Sequence, residues 1–350
     1  MNIKACFYLG HPAHYHLFKN TFKALEADNV EYLVLIKSKD VLERLLEDDG
    51  VPYINIFAEE RGRNKLSILR SLLIKDYRIF KEVKKFKPNI LIGTSVEITH
   101  VGFILRIPSL VVNEDDYDIV PEFAKLGYPL ATKIVAPVFC KLGKWDNKRI
   151  GYYGYHESAY LNDEVFKPSK DIFSRYERKK EQNSIFVRLS DLNAYHDQGK
   201  KGLSIADIEK ILEMFSDWNI FVSSESSDDI FGENTIKVYP NHVHHVLAFT
   251  DVFIGDSQTM TAEAALLGVI AIRFNDFVGK ISYLNELENV NELAYGFTLS
   301  EVKGLFSFLE TVKKDVIAIK EKHEKRLADT KKELDDLTKL LKESIYFYAK

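Results

Sequence analysis

Short apolar runs rich in β-branched and aromatic residues alternate along the chain with segments of helical spacing. In the first half, residues 3–9, 32–36, 53–57, 90–92, 110–112 and 133–136 predict strands. Residues 15–25 and about 40–47 predict helices between them. The pattern breaks over 141–183, where Gly143, Gly151, Gly154 and Pro168 punctuate the chain and 170–182 is mostly polar. It restarts with strands at 184–189, 220–222, 252–254 and 269–272, and helices at 205–215, 242–249 and 259–267. Strands that alternate with helices imply parallel pairing through crossovers, hence doubly wound α/β sheets. The predicted layout is an N-terminal α/β domain over 1–160, a linker over 161–183 and a second α/β domain over 184–311. A charged helical segment follows over 312–350. Within it, Leu334, Leu337, Leu340 and Leu341 recur at the spacing of one helix face, which predicts an amphipathic helix packed on its own domain.

A length of 350 residues agrees with two domains rather than one core. The net charge of −4 argues against a whole-molecule electrostatic grip on nucleic acid. Cys6 and Cys140 are the only cysteines, too few for a disulfide scaffold or a cysteine zinc site, which fits a reducing cytoplasm. The apolar run at the N-terminus is short and has no small-residue cleavage site, so a signal peptide is not expected. No stretch reaches the roughly 18 apolar residues of a membrane span. One region departs from the overall charge: 61–87 carries ten Lys or Arg against Asp76 and Glu82, interleaved with leucines. Such a basic amphipathic helix suits an anionic membrane surface or simply a solvated packed helix. Its few aromatics, Tyr77, Phe80 and Phe86, make a poor stacking platform for nucleic acid.

The chemistry concentrates at 251–264. An apolar strand ends at Gly255, the polar turn Asp256-Ser257 follows, and a helix starts with Gln258 and Thr259. A helix N-terminus offers unpaired N–H groups and partial positive charge, suited to phosphate. Glu263, one turn or so inside, has a carboxylate able to hold ribose hydroxyls; capping by Asp256 or Ser257 is the plainer alternative. Arg188, near the end of a strand and followed by Ser190, Lys200 and Lys201, is a candidate for the diphosphate. Tyr239 to His245 contains three histidines, of which His242 is a candidate contact to a base. In the first βα turn, Gly10, His11 and His14 offer a group that titrates near neutrality. Glu97 and Asp115 follow strand ends in the same half as candidate acid–base groups. Asp116-Tyr117-Asp118 has an Asp-x-Asp form, but so short a pattern arises by chance, and no metal is expected.

The turn Gly255-Asp256-Ser257 with Glu263 resembles the donor-binding motif of GT-B enzymes, including the UDP-N-acetylglucosamine 2-epimerases. The opening Gly10-His11-Pro12-Ala13-His14-Tyr15-His16-Leu17-Phe18-Lys19-Asn20 is similar to that of a bacterial and archaeal family known as a domain of unknown function (number 354). The segment Gly154-Tyr155-His156-Glu157-Ser158-Ala159-Tyr160-Leu161 resembles that family's linker. The resemblance implies a GT-B-like fold: two Rossmann-like, doubly wound domains facing a cleft, with the donor held mainly by the C-terminal one and the acceptor by the N-terminal one. It also implies that a histidine of the first turn faces the cleft as base or phosphate contact. The expectation is a cytoplasmic, metal-independent glycosyltransferase without a cofactor. It would move a sugar from a nucleotide donor to a glycan or lipid-linked acceptor, in possible peripheral contact with the membrane through 61–87. A sugar-nucleotide 2-epimerase and a non-catalytic sugar-nucleotide-binding protein are the alternatives.

Overall fold

A computed structural model describes residues 3–37, 40–57, 65–179, 181–189, 202–224 and 231–349, with the side chains of 40, 57 and 65–69 outside the description. The chain forms two compact units, Met1–Tyr160 with Leu334–Lys350, and Leu161–Glu333.

In unit one the strands are β1 (Lys4–Leu9), β2 (Glu31–Lys37), β3 (Tyr53–Phe57), β4 (Ile90–Gly93), β5 (Ser109–Val112), β6 (Lys133–Pro137) and β7 (Arg149–Tyr152). The helices between them are α1 (Pro12–Ala27), α2 (Asp40–Asp48), α3 (Lys65–Phe86), α4 (Glu97–Leu105) and α5 (Pro121–Gly127), with the short α6 (Ser158–Leu161) after β7. All pairs are parallel, in the order β3-β2-β1-β4-β5-β6-β7. The runs that read as strands do so because both sheet faces are covered: Ala5 to Leu9 and Ile90 to Gly93 are buried throughout. Edge-to-face rings of Phe7, Phe18 and Phe22 fasten α1 onto β1.

Strand β7 lies where the sequence pattern seemed to break. It is a short edge strand with little apolar alternation, and Gly151 in it is a packing requirement: a Cβ there would sit 3.0 Å from Val138 Cγ1. The segment 161–183, expected as a linker, falls in unit two, and its described residues include α7 (Lys170–Phe173) capped by the Ser169 hydroxyl.

Unit two continues with β8 (Ser184–Leu189), α8 (Ile205–Met214), β9 (Asn219–Ser224), α9 (Val243–Ala248), β10 (Val252–Gly255), α10 (Gln258–Leu266), β11 (Ile270–Phe274), α11 (Ser282–Asn285), β12 (Ala294–Phe297) and α12 (Val302–Lys331). Its sheet is parallel in the order β12-β11-β10-β8-β9. One face packs Val187, Ile254 and Ile272 against Ile208 and Ile211 of α8 and Leu305, Leu309 and Val312 of α12.

The tail, expected as one helical segment, is divided. Helix α12 is kinked at Asp315 and ends at Lys331. The chain then returns to unit one as α13 (Leu337–Tyr348), whose N-cap Asp336 accepts from the Lys339 amide. Asp335 pins the return: its N–H donates to the Tyr153 carbonyl and its Oδ2 accepts from the Tyr153 amide, at 2.8 and 2.7 Å. Leu337, Leu341 and Ile345 are buried where α13 packs against α1.

Candidate functional site

The strand orders locate the chemistry. In a doubly wound sheet the crevice for a ligand opens at the carboxyl ends of the strands where the chain reverses its direction of travel across the sheet. In unit two that switch point falls between β8 and β10, and in unit one between β1 and β4.

At the unit-two switch point, Gly255 pairs in register with Arg188 of β8 and with Arg273 of β11. A side chain at Gly255 has no room, since its Cβ would lie 2.9 Å from the Arg188 carbonyl oxygen. Arg188 is half-buried and its Nη1 donates to Ser223 Oγ of β9 at 2.8 Å, which fixes the guanidinium at the carboxyl end of the sheet. Ser257 is the N-cap of α10, its hydroxyl accepting from the Met260 amide at 3.3 Å. The cap leaves room for an anion, because the amides of Gln258 and Thr259 head the same helix and both residues are half-buried. Ser190, Lys200 and Lys201 lie outside the described residues.

Glu263 is buried at 5% exposure, and its Oε1 lies 2.9 Å from His244 Nε2 of α9. The neighbouring histidines have these contacts. His242 Nδ1 lies 2.8 Å from the Tyr176 hydroxyl, His244 meets Glu263, and His245 Nδ1 accepts from the Ser169 amide. Through Glu263, His244 is joined to α10.

Beneath the turn lies a support that sequence reasoning missed. Arg273 is fully buried, and its Nε donates to Glu288 Oε1 at 2.7 Å while its Nη1 reaches Asn275 Oδ1 at 3.3 Å. Asn275 Nδ2 in turn donates to the Asp256 carbonyl at 2.9 Å. Glu288 comes from a π-turn, Glu286–Val290, and fits because residue 296 is glycine: a Cβ there would lie 2.7 Å from Glu288 Oε2. The only sequence signal was an arginine in an otherwise apolar strand.

At the unit-one switch point, Gly10 follows β1 and its N–H donates to His14 Nδ1 at 3.1 Å. That bond favours a neutral ring with its proton on Nε2. Thr94, just after β4, brings its Oγ1 to 2.7 Å from Nδ1 and 2.9 Å from Nε2 of His14. His11 is the N-cap of α1, its ring nitrogen accepting from the Ala13 amide. Glu97 is buried and paired with Lys75 of α3, an ion pair that accounts for its burial. In the next loop, Asp116 is fully buried and accepts from the Lys141 amide, which makes it a turn anchor. Burial, and then the charge of Asp116, raise the pKa of the predicted Asp115.

Glu114 is the residue in this loop that the structure singles out. Its Oε2 accepts from the His156 amide at 3.3 Å and its Oε1 lies 3.4 Å from His156 Nδ1. Burial first, then the neighbouring Glu157 and Asp115, push its carboxyl well above the ordinary carboxylate range. Burial alone pushes His156 down to about 3. Burial thus disfavours the charged form of both groups. The acidic run after β5 and the segment from Gly154 to Leu161 were both notable in the sequence; their meeting was not readable from it.

No helix among the described residues is long and apolar enough to cross a membrane. Among curated proteins, an uncharacterised protein of Methanocaldococcus jannaschii is 23% identical over 327 residues, 89% of this chain and 92% of the relative. Among solved structures, the UDP-GlcNAc 2-epimerase of Neisseria meningitidis, bound to UDP-GlcNAc, matches with a TM-score of 0.67 at 13% identity, covering 99% of this chain and 100% of that one. SsfS6, a glycosyltransferase of Streptomyces sp. SF2575, matches with a TM-score of 0.61 at 10% identity, covering 97% and 98%. The chain thus has a GT-B-like fold, common to sugar-nucleotide epimerases and glycosyltransferases. The sequence profile described as "Protein of unknown function (DUF354)" matches residues 6–350, and the chain belongs to that family.

Proposed function

We propose that the chain is a metal-independent glycosyltransferase that takes a nucleotide-sugar donor and passes its sugar to a glycan or lipid-linked acceptor. The observation that carries this reading is the turn Gly255–Thr259 at the switch point of unit two, flanked by Arg188 and followed on the same helix by buried Glu263. Gln258 and Thr259 amides receive the diphosphate, and Arg188 balances its charge as it departs. Glu263, oriented by His244, accepts from the ribose hydroxyls. The likeness to a fold that holds UDP-GlcNAc in the Neisseria epimerase supports a nucleotide sugar as ligand.

In unit one, Glu114 serves as the proton acceptor for the acceptor hydroxyl. Burial, which raises its pKa, makes its carboxylate a stronger base than an ordinary one. His14, its Nδ1 occupied by the Gly10 amide, enters as a hydrogen-bond donor from Nε2. The bond that forms is acceptor oxygen to anomeric carbon; the bond that breaks joins that carbon to the diphosphate, which leaves with the electron pair.

Thermal-shift measurements with UDP, GDP and their sugars test the donor site, since a ligand of the native state raises the apparent stability. Glu263→Ala is expected to abolish the shift, and an unchanged shift refutes the ribose role. A second reading, a sugar-nucleotide 2-epimerase, is favoured by the buried acid–imidazole pair Glu114–His156, because inverting a carbon requires one group to take a proton and another to return it. Incubation with donor alone separates the two: an epimerised sugar supports the second reading, and nucleotide release only with an acceptor supports the first.

A further inference from the structure

Unit one carries a surface on α3, α4 and α5 that its own fold does not use. His100 of α4 joins the three helices: its Nδ1 lies 2.9 Å from Asp76 Oδ2 of α3, and its Nε2 lies 3.3 Å from the Leu126 carbonyl of α5. Within one turn of those contacts, five large apolar residues stand in solvent: Leu73, Tyr77, Phe103, Ile104 and Leu126, between 48% and 68% exposed. Neighbouring exposed apolar residues of this size mark an interaction surface.

The charges around them indicate the partner. On α3 the exposed positions Arg70, Leu73, Tyr77, Lys81 and Lys84 follow one another at spacings of three and four, a single line along the helix with cations on both sides of the apolar pair. Arg106, the left-handed C-cap of α4, and Lys125 on α5 add two more exposed cations. The acids nearby are largely withdrawn: Asp76 is held by His100 and Glu97 by Lys75, leaving half-buried Glu82 and exposed Glu122. Apolar and aromatic tips set in a field of cations match a bilayer interface, with side chains entering the acyl boundary and ammonium groups meeting lipid phosphates. A protein partner of ordinary composition would not call for so one-sided a charge.

We propose that the α3–α4–α5 face of unit one is a peripheral docking surface for an anionic lipid bilayer. This deepens the proposed function by naming a membrane as the place of the acceptor, and it rests on that reading only for that consequence.

The test is co-sedimentation of the full chain with vesicles of neutral phosphatidylcholine and of phosphatidylcholine containing about a third phosphatidylglycerol. The wild type is expected to partition onto the anionic vesicles and to be released at 0.5 M salt, because surface charge is screened there. Leu73→Ser with Tyr77→Ser, and separately Lys81→Glu with Lys84→Glu, are each expected to weaken partition at least tenfold, with unchanged melting temperature and unchanged nucleotide thermal shift. Equal partition onto neutral vesicles, no partition, or variants that bind like the wild type overturn the proposal. So does light scattering that shows a dimer dissociated by the Leu73/Tyr77 variant, since the face would then be an interface between copies. A lost nucleotide response in the wild type refutes the donor site and leaves the vesicle result standing.

Discussion

Ser257 illustrates how one residue serves two purposes: its hydroxyl closes the first turn of α10, and its position aims the amides of Gln258 and Thr259 outward. What lies below it is costlier to disturb. Arg273 and Glu288 form a nearly dry ion pair, and removing one partner leaves an uncompensated buried charge. Glu288→Ala is expected to destabilise unit two by about 3–5 kcal/mol, read from urea unfolding, whereas an apolar replacement of both partners costs much less. His323 of α12 supplies a pH test. It is 1% exposed, and burial pushes its pKa down to about 4, partly offset by the Ala265 carbonyl. The unfolded chain takes up this proton near pH 6.5 and the native chain only near 4. Stability from this residue is therefore constant above about pH 6.5 and falls by up to about 3 kcal/mol as the pH drops to 4. His323→Leu is expected to flatten that part of the urea-midpoint profile. Glu114→Gln is expected to lower turnover by about 10²–10⁴-fold while the nucleotide thermal shift persists. The strand–turn–helix of Val252 to Leu266 was legible in the sequence because strand, cap and helix are contiguous there. Glu114–His156 and Arg273–Glu288 were not, because each joins residues that only the folded sheet brings together.

At the scale of elements, most strands were legible because parallel strands buried on both faces read as unbroken apolar runs. The exceptions have physical causes. Strand β7 is short, lies at the sheet edge and contains Gly151, so it lacks apolar weight. The order of strands is not a local property at all, and with it the two switch points stayed hidden until the sheets were formed. Helix α13 was folded into one predicted tail because its leucines continue the spacing before the break; Asp335 and Asp336 end that continuity by bonding Tyr153 and capping the new helix. Burying Leu337, Leu341 and Ile345 stabilises unit one by roughly 1.5–3 kcal/mol each. Truncation after Glu333 is therefore expected to lower the melting transition of unit one, with the nucleotide response of unit two retained in calorimetry.

The whole molecule has a discontinuous first unit: residues 334–350 complete what residues 1–160 began, with all of unit two in between. During synthesis, at roughly 5–20 residues per second, the ribosome spends about ten to thirty-five seconds on the intervening segment. Throughout that interval the surface of α1 that packs against α13 is uncovered, while unit two receives all its own strands and helices. Nascent chains stalled on an unrelated linker fused after Glu333, long enough to bring α12 out of the ribosomal tunnel, should thus resist protease in unit two and be cut within 1–160. The half made earliest is the half that matures last, and the face of α1 left bare until then is the natural place for a chaperone to wait.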